Sequence, residues 1–274
     1  MTHLLKIEWL KLRKYLAFIL LSSFFILGVV FLNYIVFLIE ENLIKDIKGA
    51  QMVFSGSFFE FSRVWLTVSY YGSYFLMLPA LLMVILVTNE YSYKTHRQNI
   101  IDGLSRFEFL KVKLALAVIL AIASTLVVIL TGLIFGLASG TSFALTGFEN
   151  VGYFLLKAIT YNMVAILIAL LTKRSGVAIA VFFVYTILEN GISGLLFFLA
   201  IKIKRDSGTD LGNLGNYLPM NASDGLLASP LQRFTQMASG VLPKDIDLLV
   251  LAFALAYIVL FYWWSKRKFL RADL

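Results

Sequence analysis

Six stretches of mostly apolar residues, each long enough to cross a bilayer, divide this chain: Tyr15–Ile39, Val64–Thr88, Leu114–Ala138, Gly152–Leu171, Val177–Ala200 and Leu248–Trp264. A helix of about 20 such residues matches the hydrocarbon core of a membrane. Barrel strands would be about half as long and would alternate in polarity. The longest segment between these runs, 201–247, is too short for a soluble domain of normal size. With 60% hydrophobic residues in 274, a water-soluble fold could not hide the apolar surface. The expected architecture is therefore an all-α polytopic membrane protein with six transmembrane helices, folded as a single transmembrane domain over 1–274. The first run is far longer than the roughly 7–15 apolar residues of a signal peptide, and no small-x-small cleavage site follows it. It is read as a retained span.

Charge sets the expected orientation, because Lys and Arg concentrate in cytoplasmic flanks. Of the 24 Lys and Arg residues, 15 fall in 1–14, 89–113, 172–176 and 265–274; 8 fall in 40–63, 139–151 and 201–247, and Lys157 lies inside a span. Ten acids sit on the second side and five on the first. Both termini are expected in the cytoplasm of a cell whose inner membrane holds the chain. The net charge of +8 is thereby explained by position, with no nucleic-acid partner implied. Residues 1–14 read as an interfacial amphipathic helix: Leu4, Leu5, Trp9 and Leu12 recur at helical spacing, and Lys6, Lys11, Arg13 and Lys14 are placed to meet lipid headgroups.

The segment 89–113 is the most unusual loop. It carries Lys94, Arg97, Arg106, Lys111 and Lys113 together with the apolar Ile100, Ile101 and Leu104. Gly103 interrupts a helix-friendly run. Ser105 and Glu108 then have the spacing of a capping box, in which the hydroxyl accepts from the Glu108 amide and the carboxylate reaches back. A short helix, a turn at Gly103 and a new helix from Arg106 are expected. Physical reasoning leaves two uses open. The loop is a docking element whose Ile100, Ile101 and Leu104 enter a partner's groove while Arg97 and Arg106 pair with its acids. Alternatively, it is an ordinary positive loop lying on phospholipid.

This loop resembles the cytoplasmic coupling region of ABC type-2 transporter permeases. The matching residues are Glu90 after the second span, the patch Lys94, Thr95, Arg97, Gln98 and Asn99, and the turn Gly103, Leu104, Ser105 and Arg106, followed by Phe109 and Lys111. Lys94 departs from the Gly that many such permeases carry before the Thr. The ending Phe269–Leu274 is similar to the family's Phe-x-x-Arg-Asp-Leu tail. The resemblance runs through the whole chain. It implies an ATP-driven transporter, usually an exporter, built from a pair of permeases and a separate ATPase subunit. Glu90, Thr95, Arg97, Gln98, Ile100, Ile101, Gly103, Leu104, Ser105 and Arg106 would then couple to that ATPase. These 274 residues contain no G-x-x-x-x-G-K-[ST] phosphate loop. ATP and Mg are expected in the partner, with no cofactor, metal or catalytic site in this chain.

Charges inside a membrane are expensive and are functional candidates. Lys157 in the fourth span and Glu189 in the fifth lie at comparable depths, which suggests either an ion pair in the outer half or two separate groups, Lys157 snorkelling and Glu189 at a cavity mouth. With Asn190 they are the candidate transport path or outer gate. Glu189-Asn190-Gly191 offers a break, and the family resemblance implies short re-entrant helices after it. The fifth span is therefore expected to end near Glu189, with 192–204 partly re-entrant. Pro79 is expected to kink the second span. Tyr70, Tyr71, Ser73 and Tyr74 form an aromatic belt or line a path for an amphiphile. Gly132, Gly136 and Gly140 recur every four residues, a spacing that permits close helix packing and suggests a dimer face. The long segment 201–247 is turn-rich at 207–216, with short surface helices expected at 226–228 and 231–237.

Two other functions fit a polytopic chain. A lipid-modifying membrane enzyme would need converging histidines and acids, yet the histidines, His3 and His96, are far apart in sequence. An ion-coupled secondary carrier would usually show an internal repeat. Cysteine is absent, which removes thiolate chemistry and disulfides.

Overall fold

Backbone groups surrounded by lipid can be satisfied within a helix and hardly otherwise. Accordingly, the computed structural model is helical, with no strand, over the residues it describes: 2–44, 57–101, 103–208, 212–231 and 248–271. Helix α1 (Thr2–Leu12) precedes α2 (Leu16–Ile39), which runs on as one π turn, Glu40–Ile44. Helices α3 (Val64–Ser73) and α4 (Met77–Ser92) form one span, and the short α5 (Thr95–Ile101) follows. Then come α6 (Arg106–Ala138), α7 (Glu149–Thr172), α8 (Ser175–Ser207), the one-turn α9 (Asn221–Asp224) and α10 (Leu248–Arg271). Six of the helical stretches are long and apolar enough to cross a membrane.

Helix α7 is the axis of the bundle and packs against α3, α4, α6, α8 and α10. Its sequence allows this central place. Ala158, Ala165 and Ala169 are fully buried and let neighbouring helices approach. Buried Asn162 donates to the Ala117 carbonyl of α6 at 2.9 Å, a polar tie between two helices. By contrast α2 and α8 present long apolar faces outward, among them Phe24, Leu27, Phe31, Ile187, Leu195 and Phe198.

Proline acts as expected in the second span. Pro79 has no amide to give the Phe75 carbonyl and its ring crowds that oxygen. The chain meets this with a 3-10 turn, Tyr74–Leu76, between α3 and α4.

Two expectations are corrected. First, Gly132 and Gly136 do not form an open face. A Cβ on Gly132 would stand 3.0 Å from the Trp65 ring, and one on Gly136 would stand 2.7 Å from Phe61. The stripe is consumed inside the chain by two aromatic rings. Gly140 closes the helix region with a φ of 72°. Second, α8 does not end near Glu189. It continues through Asn190 and Gly191 to Ser207, where Gly208 caps it with a left-handed φ of 71°. Asn190 keeps its amide on the helix, donating to the Thr186 carbonyl at 2.9 Å, so no backbone group is freed there. Helix α1 divides its residues between two faces. Leu5, Glu8 and Leu12 face inward, while Trp9 is 56% exposed and meets Phe18 edge to face.

Residues 226–228 lie in a turn and bend, with Leu226 and Leu227 buried. The expected helix at 231–237, beyond its first residue, and the last three residues of the tail lie outside the described residues.

Candidate functional site

The basic end of the bundle is organised by a buried ammonium. Lys113, two turns into α6, is 2% exposed. Its Nζ donates to Glu8 Oε2 of α1 at 2.8 Å and to Glu90 Oε1 of α4 at 3.0 Å. A second cation, Lys11, sits on the rim of the same cluster, 3.2 Å from Glu8 and 3.3 Å from Glu90. Two acids and two bases from three helices thus neutralise one another. Burial works to lower the Lys11 pKa, but the Glu8 and Glu90 carboxylates outweigh it and hold the value above the ordinary one. Lys11, expected at lipid headgroups, reaches these two acids from the rim with its side chain 45% exposed.

Glu90 extends the cluster to the short helix. Its Oε2 accepts from the Thr95 hydroxyl, and its backbone carbonyl lies 2.9 Å from His96 Nδ1. The His96 ring packs on Tyr91, with centroids 4.6 Å apart. The first turn of α5 is therefore tied to the end of α4. Lys94 stands between them at φ 56°, a left-handed conformation that costs an ordinary residue more than glycine. This explains physically why the Gly implied by the resemblance suits that position.

Beyond α5 the expected turn is present. Gly103 has φ 100°, and Ser105 caps α6 with the full capping box: Glu108 N donates to Ser105 Oγ at 3.2 Å and Ser105 N to Glu108 Oε2 at 3.0 Å. Ile101 is 83% exposed and Gln98 is exposed, while Leu104 packs on the core. Arg106 Nη1 donates to the Leu270 carbonyl at 3.3 Å, so this cation also engages the last helix. Phe109 stacks on Phe269 at the same seam. The side chains of Arg97, Asn99 and Ile100 lie outside the described residues. The structure thus brings Glu90 and Thr95 together, sets Gly103, Ser105 and Arg106 one turn further on, and leaves Ile101 free.

At the opposite end, two intramembrane charges each hold the same outer segment. Lys157 of α7 is buried, with Nζ 3.0 Å from Ser73 Oγ of α3 and 3.2 Å from Asp224 Oδ1 of α9. Tyr161 donates to Asp224 Oδ2 at 3.2 Å. Glu189 of α8 accepts with one oxygen from the backbone amides of Met220, at 2.5 Å, and Asn221, at 2.9 Å. Lys157 and Glu189 therefore meet the segment 220–224 from two sides, Lys157 pairing with Asp224. Tyr257 of α10 fixes the same segment by donating to the Tyr217 carbonyl at 2.8 Å. Beside Lys157 lies a polar cavity of about 490 Å³, whose lining includes Tyr70, Tyr74, Asn190, Asn216 and Asp224. Tyr70 and Tyr74 join hydroxyls at 2.9 Å.

Sequence reasoning missed the parts played by Glu8, Lys113 and Asp224, and named Ser73 only within the Tyr70–Tyr74 cluster. One signal was available: Glu8 is the lone acid among residues 1–14. Lys113 was counted as one more loop cation, and nothing local to Asp224 marks it as the partner of a lysine 67 positions earlier.

Residues 4–189, about two thirds of the chain, match the family model described as "ABC-2 family transporter protein". No match to a curated protein was found, nor any to a solved structure.

Proposed function

Since the chain belongs to the ABC-2 family of transporter proteins, we propose that it is the multi-pass permease subunit of an ATP-driven exporter, moved by a separate ATPase that presses on 95–106. Family membership makes it a membrane component of such a transporter. The finer assignments are ours: both termini cytoplasmic, residence in the cell's inner membrane, a second permease copy as dimer partner, surrounding lipid as solvent and partner, and ATP with Mg bound by the ATPase.

One observation carries this reading. The Glu8–Lys113–Glu90 cluster, with Thr95 on Glu90, joins the short helix to α1, α4 and the start of α6 by buried polar contacts. A push on α5 has a short, dry route into two spans. An ordinary lipid-facing loop would need no such junction. Exposed Ile101 and the Gly103 turn supply the surface for the push, with Arg97, Gln98 and Ile100 beside them in sequence. Lys157 and Glu189 act at the far end as the outer gate, holding the segment 220–224 over the path, with Asn190 in the lining of the cavity beside them. Helix α8, with 33 residues and about 50 Å of length, is longer than the roughly 30 Å core and carries Glu189 and Asn190 near its middle.

The test is co-purification from detergent. Wild type should retain an ATP-binding-cassette ATPase, and Arg97→Glu/Arg106→Glu should lose it while folding normally. A well-behaved wild-type sample that brings down no ATPase would overturn the proposal.

A further inference from the structure

Lys157 and Asp224 form an ion pair at 3.2 Å in the wall of the cavity, and the ammonium keeps a donor to spare. The Lys157 ammonium has three donors; one goes to Ser73, and the approach to Asp224 Oδ1 is an ion contact at 3.2 Å. That Oδ1 is buried and accepts no hydrogen bond. The Asp224 side chain as a whole is 23% exposed, and both groups line the 490 Å³ cavity. Cavities of roughly 300–1,000 Å³ are the usual size for bound ligands.

The chemistry of the lining selects the ligand. It holds one cation and one acid, and otherwise amides, hydroxyls and a few apolar groups. A ligand of net charge would leave one member of the pair facing its own sign. A zwitterionic group would give Lys157 an acidic oxygen and Asp224 an ammonium. The apolar exit argues for an amphiphile: Phe197 lines the cavity, and Leu195 and Phe198 beside it on α8 are exposed on the outward face. We infer that this cavity binds the zwitterionic headgroup of a lipid, the phosphate on Lys157 and the ammonium on Asp224, with the acyl chains along α8. Calling that lipid cargo rests on the permease reading; the binding itself does not.

Native mass spectrometry of the purified full chain tests it without any ATPase, so its failure is separate from failure of the permease reading. Wild type is expected to retain phosphatidylethanolamine over phosphatidylglycerol by roughly tenfold or more, the scale of one charged hydrogen bond. Asp224→Asn should erase or reverse that preference by gaining phosphatidylglycerol, an outcome that misfolding does not produce. Lys157→Gln should lose both lipids. If Asp224→Asn does not fold, Asn216→Asp adds an acid to the lining and should weaken phosphatidylglycerol further. Displacement by free phosphoethanolamine would place recognition in the headgroup alone; retention against it, with the Asp224→Asn switch intact, would place it in the whole lipid. Equal retention of the two lipids by wild type, or an unchanged preference in Asp224→Asn, overturns the inference.

Discussion

Glu8 and Lys113 lie 105 positions apart in sequence and meet at 2.8 Å, in a contact that seals the lysine from solvent. It sits where the first helix, the end of the second span and the start of the third converge. The pair therefore ties the N-terminal helix to the region we assign to coupling.

Removing the cation should be severe. Lys113→Met leaves the Glu8 and Glu90 carboxylates buried and opposed. Breaking one side of a buried ion cluster costs about 3–5 kcal/mol. Thermal unfolding in detergent checks this. The triple variant Glu8→Gln/Lys113→Met/Glu90→Gln should recover much of the loss, because no buried charge is then left unpaired and the half-exposed Lys11 keeps its solvent, yet should remain poor in transport.

Glu90→Gln tests the link to the short helix. It keeps the size of the side chain and weakens the bonds to Thr95 and Lys113. Hydrogen exchange at 95–101 should quicken by roughly tenfold or more, with the centre of α7 unchanged. Equal protection in both proteins would show that α5 is held by other contacts.

Ile101→Asp separates docking from folding. The side chain is 83% exposed, so stability should change by less than about 0.5 kcal/mol. Loss of the co-purifying ATPase with an unaltered unfolding curve is the expected result.

Gly136→Ala tests the aromatic seat inside the bundle. The new methyl would meet the Phe61 ring at 2.7 Å and must displace it. A loss of about 1–3 kcal/mol is expected for overpacking, and Phe61→Leu in the same chain should restore part of it. The association state should not follow the glycine, since the stripe is filled from within.

Glu189→Gln tests the outer gate. Its carboxylate accepts from two backbone amides, and bonds to a charged group are worth about 1.5–3 kcal/mol. The amides of Met220 and Asn221 should exchange faster. Little change would mean that Tyr257 and Asp224 suffice to hold the segment.

The spans were legible because lipid imposes one simple rule, length of apolar run. The capping box at Ser105 and the kink region near Pro79 were legible because both are set within four residues of sequence. What lay hidden was partnership at a distance. Nothing near Lys113 says that its acids come from residues 8 and 90, and nothing near Lys157 points to Asp224. The glycine stripe misled for a related reason: spacing shows that something packs closely, and only the fold shows that Trp65 and Phe61 do so. Glu189-Asn190-Gly191 read as a break because Asn190 and Gly191 are poor helix formers, but Asn190 bonds back to Thr186 and the bundle carries the helix through.

The buried cluster also has an order in time. Chains are made from the N-terminus, so Glu8 and then Glu90 exist before Lys113 is added. When the third span enters the bilayer, the ammonium at its base finds both counter-charges already laid down. Moving Lys113 ahead of its acids, by circular permutation for example, would ask the membrane-insertion machinery to accept a bare charge where the natural order presents a paired one.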